Sequence, residues 1–318
     1  MKRALIVGID DYSWAPLKGC VNDANRVSRV LARDEDGDPN FTCKLLVAPP
    51  GTPNTVTRPV LRKALEEALT QPADVALFYF SGHGTVNNLG GFLVTQDAAQ
   101  YDEGVSMRTV LELANKAPIK EVVIGLDCCH SGELGKVPEI ENDSAVLREG
   151  VSVLTASRDS QTAMETGGNG VFTSLVCDAL EGGAADVCGK VTVASVYAYV
   201  DQALGAFDQR PLFKAHVSRL LSLRRCRPAI PLEILRLLPE YFPKPDYDFP
   251  LDSRYEPDAL PKDPERERVF GHLRQYHAAR LLVPVGQEYM YHAATNSKSC
   301  RLTPLGRYYW QLAGSGKI

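Results

Sequence analysis

Two short segments of this sequence hold residues that could together perform nucleophilic chemistry. The first is Ser81-Gly-His-Gly84, and the second is Asp127-Cys-Cys-His-Ser-Gly132. A cysteine is strongly nucleophilic only as the thiolate, so it needs a base such as a histidine beside it. The two segments therefore predict a cysteine nucleophile paired with His83, provided that the fold brings them together.

Buried strands are predicted to position both segments. Each segment directly follows a short apolar run, Val75–Phe80 in one case and Val122–Leu126 in the other. Such runs, ended by glycine and small polar residues, are typical of strands that are covered on both faces of a parallel sheet. Because ligands and reactive groups collect at the carboxyl ends of such strands, we expect the two segments to face one pocket.

Two adjacent cysteines compete for the role of nucleophile. Neighbouring side chains of an extended segment point to opposite faces, so only one of Cys128 and Cys129 can meet His83. The residues alone leave the choice open, although a packed thiol is the commonest state of a buried cysteine. A zinc site made of Cys128, Cys129 and His130 is disfavoured, because contiguous ligands converge poorly on one tetrahedral ion.

The composition is that of an ordinary globular chain of 318 residues, with 44% hydrophobic and 23% charged residues. The net charge of −4 gives a nucleic-acid partner no electrostatic support. The sequence holds no apolar stretch of signal or membrane length. Its eight scattered cysteines include no CxxC pair, which predicts reduced thiols. We therefore expect a cytoplasmic protein without a nucleic-acid or membrane partner.

Strands and helices alternate along the first two thirds of the chain. We predict strands at 3–9, 43–48, 75–83, 122–129, 151–155 and 212–218, and helices at 19–31, 58–69, 107–115, 171–180 and 193–207. This alternation predicts right-handed crossovers and a mainly parallel sheet with helices on both faces. The expected fold class is thus α/β, a three-layer α/β/α sandwich.

Asp10 and Asp11 end the first strand as an acidic pair does in receiver-like phosphoacceptor domains. That fold also needs an aspartate at the end of the next parallel strand, but Cys43–Ala48 ends in Pro-Pro-Gly. The pair is more often found as turn residues or helix caps.

Two segments differ in composition from the rest of the chain. Residues 133–150 are polar and irregular, which predicts an exposed linker. Residues 227–264 contain nine prolines, which predict an extended connection.

The residues after this connection predict a small winged-helix-like module over 265–318. Asp263 and Thr303, each followed by proline, begin helices, and Glu288–Ala293 alternates like a strand. The chain from residue 228 onward holds 12 basic against 11 acidic residues, which does not favour DNA.

The motifs also carry a family resemblance. Ser81–Gly84 and Asp127–Gly132, preceded by Leu17-Lys-Gly-Cys-Val-Asn-Asp-Ala24, resemble the signature segments of caspase-like cysteine peptidases, specifically the metacaspase branch. The spacing agrees with the caspase pattern of a histidine about 50 residues before the cysteine, although the Gln-Ala-Cys triplet does not occur. The resemblance spans about residues 1–222 and implies a caspase-like peptidase domain over 1–226.

The resemblance also implies roles for individual residues. His83 would be the base and Cys129 the nucleophile, and the backbone N–H groups of Gly84 and Cys129 would form an oxyanion hole. In metacaspases the pocket for a basic P1 residue is lined at the positions that match Cys20, Asp23, Ser81 and Asp127. The implied partner is a polypeptide that is cut after Arg or Lys.

The residues themselves support a cationic ligand. Asp23 in the first turn of a helix and Asp127 at a strand end would converge at one sheet edge, where paired carboxylates favour a guanidinium. Either aspartate alone could equally be a helix cap or a loop hydrogen-bond acceptor.

One departure from the family concerns metal. Gly104-Val-Ser-Met107 stands where many metacaspases carry an acidic calcium-binding pair, and the preceding Asp102-Glu103 is typical of a solvated turn. We therefore predict that the protein needs no metal and no other cofactor.

The linker predicts a mode of regulation. Exposed loops are where nicking concentrates, so Lys136 and Arg148 are candidate processing positions, cut by the protein itself or by an upstream activating protease or regulator. The resemblance suggests a regulated protease in a proteolytic signalling, defence or cell-death cascade. The alternative is a catalytically idle caspase-like scaffold that recruits partners through its C-terminal module.

Overall fold

A computed structural model describes residues 1–88, 90–100, 102–129, 147–156, 165–166, 169–204, 211–217 and 219–318, without the side chains of 129, 165, 166 and 169. These residues form two compact units. The first comprises Met1–Ala185 and Lys190–Arg227, and the second comprises Asp186–Gly189 and Pro228–Ile318.

The strands of the first unit are β1 (Lys2–Ile9), β2 (Phe41–Ala48), β3 (Ala73–Asn87), β4 (Gly90–Ala99), β5 (Asp102–Ser106), β6 (Ile119–Cys129), β7 (Val151–Thr155), β8 (Glu165–Thr166), β9 (Asn169–Gly170), β10 (Lys190–Val191), β11 (Leu212–His216) and β12 (Arg224–Arg225). Its helices are α1 (Cys20–Ala32), α2 (Arg58–Thr70), α3 (Met107–Lys116), α4 (Val171–Asp178), which continues as a π-helical turn (Ala179–Gly183), and α5 (Val193–Leu204).

The central sheet of this unit has the strand order β11-β7-β6-β3-β1-β2. All neighbours along it are parallel except β11, which runs antiparallel to β7. One buried cluster joins the sheet to α2 and α3, and a second joins its other face to α1, α4 and α5. The predicted three-layer sandwich with a mainly parallel sheet is confirmed.

Apolar periodicity explains why these helices lie on the sheet. Helix α1 buries Ala24, Val27, Val30 and Leu31, which recur every three to four residues along one face. The strands β1, β3 and β6 instead contain continuous buried apolar runs, Ala4–Val7, Val75–Phe80 and Val122–Ile124, since both of their faces are covered there.

Strand β3 is longer than predicted. It does not end at His83 but continues to Asn87, where it pairs with β4 in an antiparallel hairpin. Thr85 and Val86 favour the extended backbone, and Gly90, with φ of 116°, lies where the chain reverses. His83 therefore lies within a paired strand rather than in a loop.

In the described end of the predicted exposed linker, residues 147–150, only Glu149 is exposed. Leu147 is buried, and the N–H of Gly150 donates to the carbonyl of His216 at 2.6 Å. Gly150 has φ of 89°, and a Cβ there would lie 2.1 Å from the carbonyl oxygen of Lys120. This end of the segment is hydrogen-bonded to both β6 and β11 where β7 begins, which its polar sequence did not indicate. Residues 133–146, including Lys136, lie outside the described residues.

The second unit contains β13 (Asp248–Pro250), β14 (Leu282–Val285), β15 (Ser299–Leu302), α6 (Leu232–Leu235), α7 (Leu238–Tyr241), a 3₁₀ turn (Ser253–Tyr255), α8 (Pro264–Ala278), α9 (Met290–Thr295) and α10 (Pro304–Gly314). Its sheet is antiparallel, with the order β13-β15-β14. Asp263 caps α8 and Thr303 caps α10, as predicted.

Two predictions for this unit are wrong. The proline-rich residues 227–264 are not an extended connection, because Leu235, Leu238 and Phe242 are fully buried in the unit's core. The predicted strand Glu288–Ala293 is mostly helix α9, which buries Met290, Ala293 and Ala294 on one face. Whether the unit is a winged-helix-like module remains a prediction.

Within the described ranges, no helix is long and apolar enough to cross a membrane.

Candidate active site

The register between β3 and β6 places the two predicted segments side by side. Ser81 pairs with Asp127, Gly82 with Cys128, and His83 with Cys129. Neighbouring strands lie about 4.8 Å apart, so the backbone of Cys129 runs directly beside that of His83. The structure thus brings the predicted base and the predicted nucleophile position to the same edge of the sheet.

The orientation of His83 is set by the loop between β1 and α1. Its Nε2 lies 2.7 Å from the carbonyl oxygen of Ala15. A carbonyl can only accept, so Nε2 carries the hydrogen, and Nδ1 is the nitrogen that can take up a proton. The backbone N–H of His83 donates to the Tyr12 hydroxyl at 3.1 Å, and that hydroxyl donates to the Val94 carbonyl at 3.0 Å. This arrangement suits a general base.

The structure shows the environment of one of the two adjacent cysteines, Cys128. Cys128 is 1% exposed and packs in the cluster that joins the sheet to α2 and α3. Cys128 is therefore a packed core thiol, the commonest state of a buried cysteine. Because residues alternate between faces along β6, position 129 shares its face with Asp127.

The four predicted pocket residues lie together on the α1 face of the sheet. Cys20, Asp23, Ser81 and Asp127 are all buried. The Ser81 hydroxyl donates to Asp23 Oδ2 at 3.5 Å, and the N–H of Gly170 donates to both Asp23 oxygens at 3.1 and 3.2 Å. A Cβ at Gly170 would lie 2.6 Å from Asp127 Oδ2 and 3.1 Å from Asp23 Oδ2. Both carboxylates therefore flank the backbone of Gly170.

The two aspartates disturb each other electrostatically. Burial first, and the neighbouring charge of Asp127 second, raise the pKa of Asp23 from an ordinary 3.8 to about 7. Burial likewise raises the pKa of the Cys20 thiol well above its usual range, so this thiol stays neutral. The pocket thus holds carboxyl groups that would be stabilised as anions by an incoming cation.

Sequence reasoning missed three residues that complete this pocket. The Thr173 hydroxyl donates to Asp127 Oδ2 at 2.5 Å and is hydrogen-bonded to the Tyr79 hydroxyl, and Gly170 supplies the N–H described above. Tyr79 could have been found, because it lies two residues before Ser81 on the same face of β3. Gly170 and Thr173 follow Asp127 by more than 40 residues, and no local signal links them to it.

Asp10 and Asp11 act as the cap and turn residues that their types suggested. Asp10 accepts from the N–H of Cys20 at 2.9 Å and of Val21 at 3.4 Å, and so caps α1 from the end of β1. Asp11 Oδ2 accepts from the Gln96 side chain at 3.3 Å. Asp10 thereby fixes the first turn of the helix that carries Cys20 and Asp23.

Comparison with known proteins decides the family. A family model described as the caspase domain matches residues 1–222. The chain belongs to the caspase-domain family. It is accordingly a member of a family of cysteine peptidases, which hydrolyse polypeptides.

Curated relatives agree with this assignment. The caspase-domain chain is 31% identical to metacaspase-5 of Trypanosoma brucei brucei over 43% of its own length and 30% of that protein. It is 25% identical to metacaspase-1B of Aspergillus terreus over 56% of its length and 51% of that protein. It is 25% identical to metacaspase-3 of Trypanosoma cruzi over 65% of its length and 66% of that protein. The chain thus spans between about a third and two thirds of the relatives that it matches.

Solved structures confirm the caspase-like fold. Protein GSU0716 from Geobacter sulfurreducens superposes with a TM-score of 0.52 at 16% identity, over 71% of this chain and 97% of that one. Caspase-1 from Spodoptera frugiperda superposes with a TM-score of 0.50 at 13% identity, over 70% of this chain and 92% of that one.

Of the two remaining predicted positions of the caspase domain that the structure describes, Gly84 lies at this site, whereas Arg148 lies at the opposite end of β6. Gly84 follows His83 in β3 and is buried. Arg148 is anchored rather than exposed: its guanidinium donates to the carbonyls of Ala114, Ile119 and Glu149.

Asp102 and Glu103 begin strand β5 rather than forming the predicted turn, and both bind protein groups. Asp102 pairs with Arg58, and Glu103 accepts from the Asn87 amide at 3.0 Å. Among the residues that the structure describes, no three His, Cys, Asp or Glu side chains are grouped so as to hold a metal ion. That the protein needs neither metal nor cofactor remains a prediction.

Proposed function

We propose that this caspase-domain protein is an active endopeptidase that uses a His83–Cys129 dyad and cleaves after Arg or Lys. The proposal is carried by two buried carboxyl groups, those of Asp23 and Asp127. They lie on the same face of the sheet as position 129 of β6. Buried anions are costly unless a cation pairs with them. A basic P1 side chain supplies that cation, and a guanidinium can bond to both carboxylates at once.

The chemistry follows from the dyad. His83 Nδ1 takes the proton of the Cys129 thiol, and the thiolate attacks the scissile carbonyl carbon. The N–H groups of Gly84 and Cys129 stabilise the oxyanion. The imidazolium then protonates the leaving amine, and a thioester forms as the peptide bond breaks. Water activated by His83 hydrolyses the thioester and restores the thiol.

An electrophilic peptide with Arg at P1, followed by mass spectrometry, tests the dyad. We expect labelling at Cys129 that disappears in Cys129→Ala. Cys128→Ala is the matched control, because it removes the neighbouring thiol from the core and leaves the predicted nucleophile in place. Labelling at Cys128 instead would refute the assignment, and no labelling under any condition would favour the catalytically idle scaffold.

The proposed preference for a basic P1 residue can be tested separately from the dyad. Replacing Asp23 or Asp127 by Ala removes a buried charge partner, which costs about 2–5 kcal/mol in comparable pairs. We therefore expect kcat/KM for Arg-P1 peptides to fall by at least about 30-fold. Cleavage of Asp-P1 and Arg-P1 peptides at comparable rates by the unaltered protein would exclude the basic pocket.

Processing is proposed at Lys136 rather than at Arg148. A cut after Arg148 would have to release three guanidinium hydrogen bonds to backbone carbonyls and place a half-buried side chain in another molecule's pocket. Fragment masses after activation test this. We expect a cut that Lys136→Ala abolishes and Arg148→Ala does not; the reverse pattern would show that the anchored arginine is released. A cut that persists in Cys129→Ala would identify an upstream protease.

The cellular setting is also a proposal. We place the protein in the cytoplasm, in a proteolytic signalling, defence or cell-death cascade, with residues 265–318 as an accessory module. None of the cysteines whose side chains the structure describes forms a disulfide, which fits a reducing compartment. Recovery of the same trapped substrates with and without residues 228–318 would show that the module plays no part in recruitment.

A further inference from the structure

Trp14 is the most unusual side chain near the proposed dyad. It is 58% exposed, yet its ring stacks on the imidazole of His83 with a centroid distance of 4.9 Å and an interplanar angle of 26°. Tyr12 packs at its edge, 5.8 Å away and tilted by 57°. One side of the indole is thus covered by the base, while much of the ring is open to solvent.

The loop that carries Trp14 is fixed at several points. The N–H groups of Tyr12 and Leu17 both donate to the Asp10 carbonyl, at 3.1 and 2.9 Å. The Ala15 carbonyl accepts from His83 Nε2, so the residue next to Trp14 is bound to the base itself. The indole is therefore held in place before any ligand arrives, which lowers the entropy lost when a ligand stacks on it.

The strand order defines which part of a substrate would pass this ring. Strand β3 lies between β1 and β6, so the loop that follows β1 lies on the opposite side of His83 from Cys129. During acylation the leaving amine must lie within hydrogen-bond reach of the base that protonates it. The residue that contributes this amine, P1′, therefore lies beside His83, within reach of a ring whose centroid is 4.9 Å from the imidazole.

We propose that Trp14 forms the wall of the S1′ subsite and selects substrates with an aromatic or large apolar P1′ residue. The inference rests on the proposed function and extends it from the P1 side of the cleaved bond to the leaving side. An offset-stacked or edge-to-face aromatic pair changes binding by about 2- to 12-fold beyond its buried area. We therefore expect peptides with Phe at P1′ to be cleaved with a kcat/KM about 3- to 12-fold above those with Gly.

The first experiment measures a ratio within each variant. Internally quenched peptides with one fixed basic P1 residue carry Phe or Gly at P1′, and kcat/KM for Phe is divided by that for Gly. This ratio cancels differences in enzyme concentration and in the strength of the base. Trp14→Ala should bring it to within 2-fold of unity, whereas Trp14→Phe should keep most of the preference. Tyr289→Ala, which removes a similarly exposed ring from the second unit, should leave the ratio unchanged.

A second experiment reads binding without chemistry. The chain has two tryptophans, so a Cys129→Ala, Trp310→Phe variant leaves Trp14 as the sole tryptophan. A peptide with 3-nitrotyrosine at P1′ should quench its fluorescence saturably, and the same peptide with 3-nitrotyrosine moved to P4 should quench it much less.

The outcomes separate the two proposals. Cleavage with a P1′ ratio that Trp14→Ala does not change would refute the role of Trp14 and leave the peptidase intact. Equal quenching by the two nitrotyrosine peptides would do the same. Neither cleavage nor quenching with any basic-P1 peptide would refute both proposals.

Discussion

Replacing Asp23 by Asn should make the caspase-domain unit more stable at alkaline pH while it damages the pocket. The Asn side chain has nearly the shape of Asp, and its oxygen can still accept from the N–H of Gly170. It cannot ionise beside Asp127, however, and so removes a buried charge that the unliganded protein must otherwise tolerate.

The size of the effect follows from the pKa of Asp23. In the unfolded chain this carboxyl titrates near 3.8, whereas burial and Asp127 raise its pKa in the folded protein to about 7. Between these values the folded state binds one proton more than the unfolded state, so the free energy of unfolding falls as pH rises. The loss is about 1.36 kcal/mol per pH decade while the folded-state carboxyl stays protonated, which amounts to about 2 kcal/mol from pH 5 to pH 7 and levels off soon above pH 7. The Asn variant should lack this loss.

Urea unfolding at pH 5 and pH 8 would measure the difference. In a Trp310→Phe background the fluorescence of Trp14 reports on the first unit alone. We expect the stability of the Asn variant relative to the parent to rise by about 2–3 kcal/mol between the two pH values. If the free energies of unfolding of the Asn variant and the parent differ by the same amount at both pH values, the assignment of a raised pKa to Asp23 is refuted. Asp178→Asn, at an exposed ion pair with Arg26, is a matched control that should show little such change.

Three further predictions concern the surroundings of the pocket. Gly170→Ala should lower kcat/KM for Arg-P1 peptides about 10- to 100-fold by crowding Asp127, since the backbone angles of Gly170 (φ −67°, ψ 135°) suit any residue; an unchanged rate would show that the carboxylate moves aside freely. Asp10→Ala should cost about 1–2 kcal/mol of stability in urea unfolding by removing the cap of α1, and Asp10→Asn clearly less, because it keeps an acceptor oxygen; equal losses would point to the charge instead. Activity should survive a strong chelator, because Gly104–Met107 lacks the acidic pair; dependence on millimolar calcium would refute this.

The sequence specified the sheet of the first unit well because its signals are local. Apolar runs and helical periodicity predicted the order of most strands and helices, and two motifs predicted which strand ends face one pocket. Gly170 and Thr173 could not be predicted, because their role depends on how a distant helix docks against α1 and Asp127.

The second unit was predicted less well, also for local reasons. Its prolines suggested an open connection, but Pro231 and Pro239 lie at the starts of α6 and α7, where a missing N–H costs nothing. The alternation of Glu288–Ala293 suggested a strand, whereas burial of Met290, Ala293 and Ala294 follows the spacing of a helix.

The pairing of β3 with β6 has a consequence for how this protein can evolve. The proposed pocket and the proposed dyad share two adjacent strands: Ser81 and Asp127 form one register pair, and His83 and Cys129 form the next pair but one. Inserting a single residue into either strand would turn every later side chain to the opposite face. Such a change would disrupt the proposed pocket and the proposed dyad in one step. Descendants of this chain can therefore vary in the length of their loops, whereas along these strands they can change only by substitution.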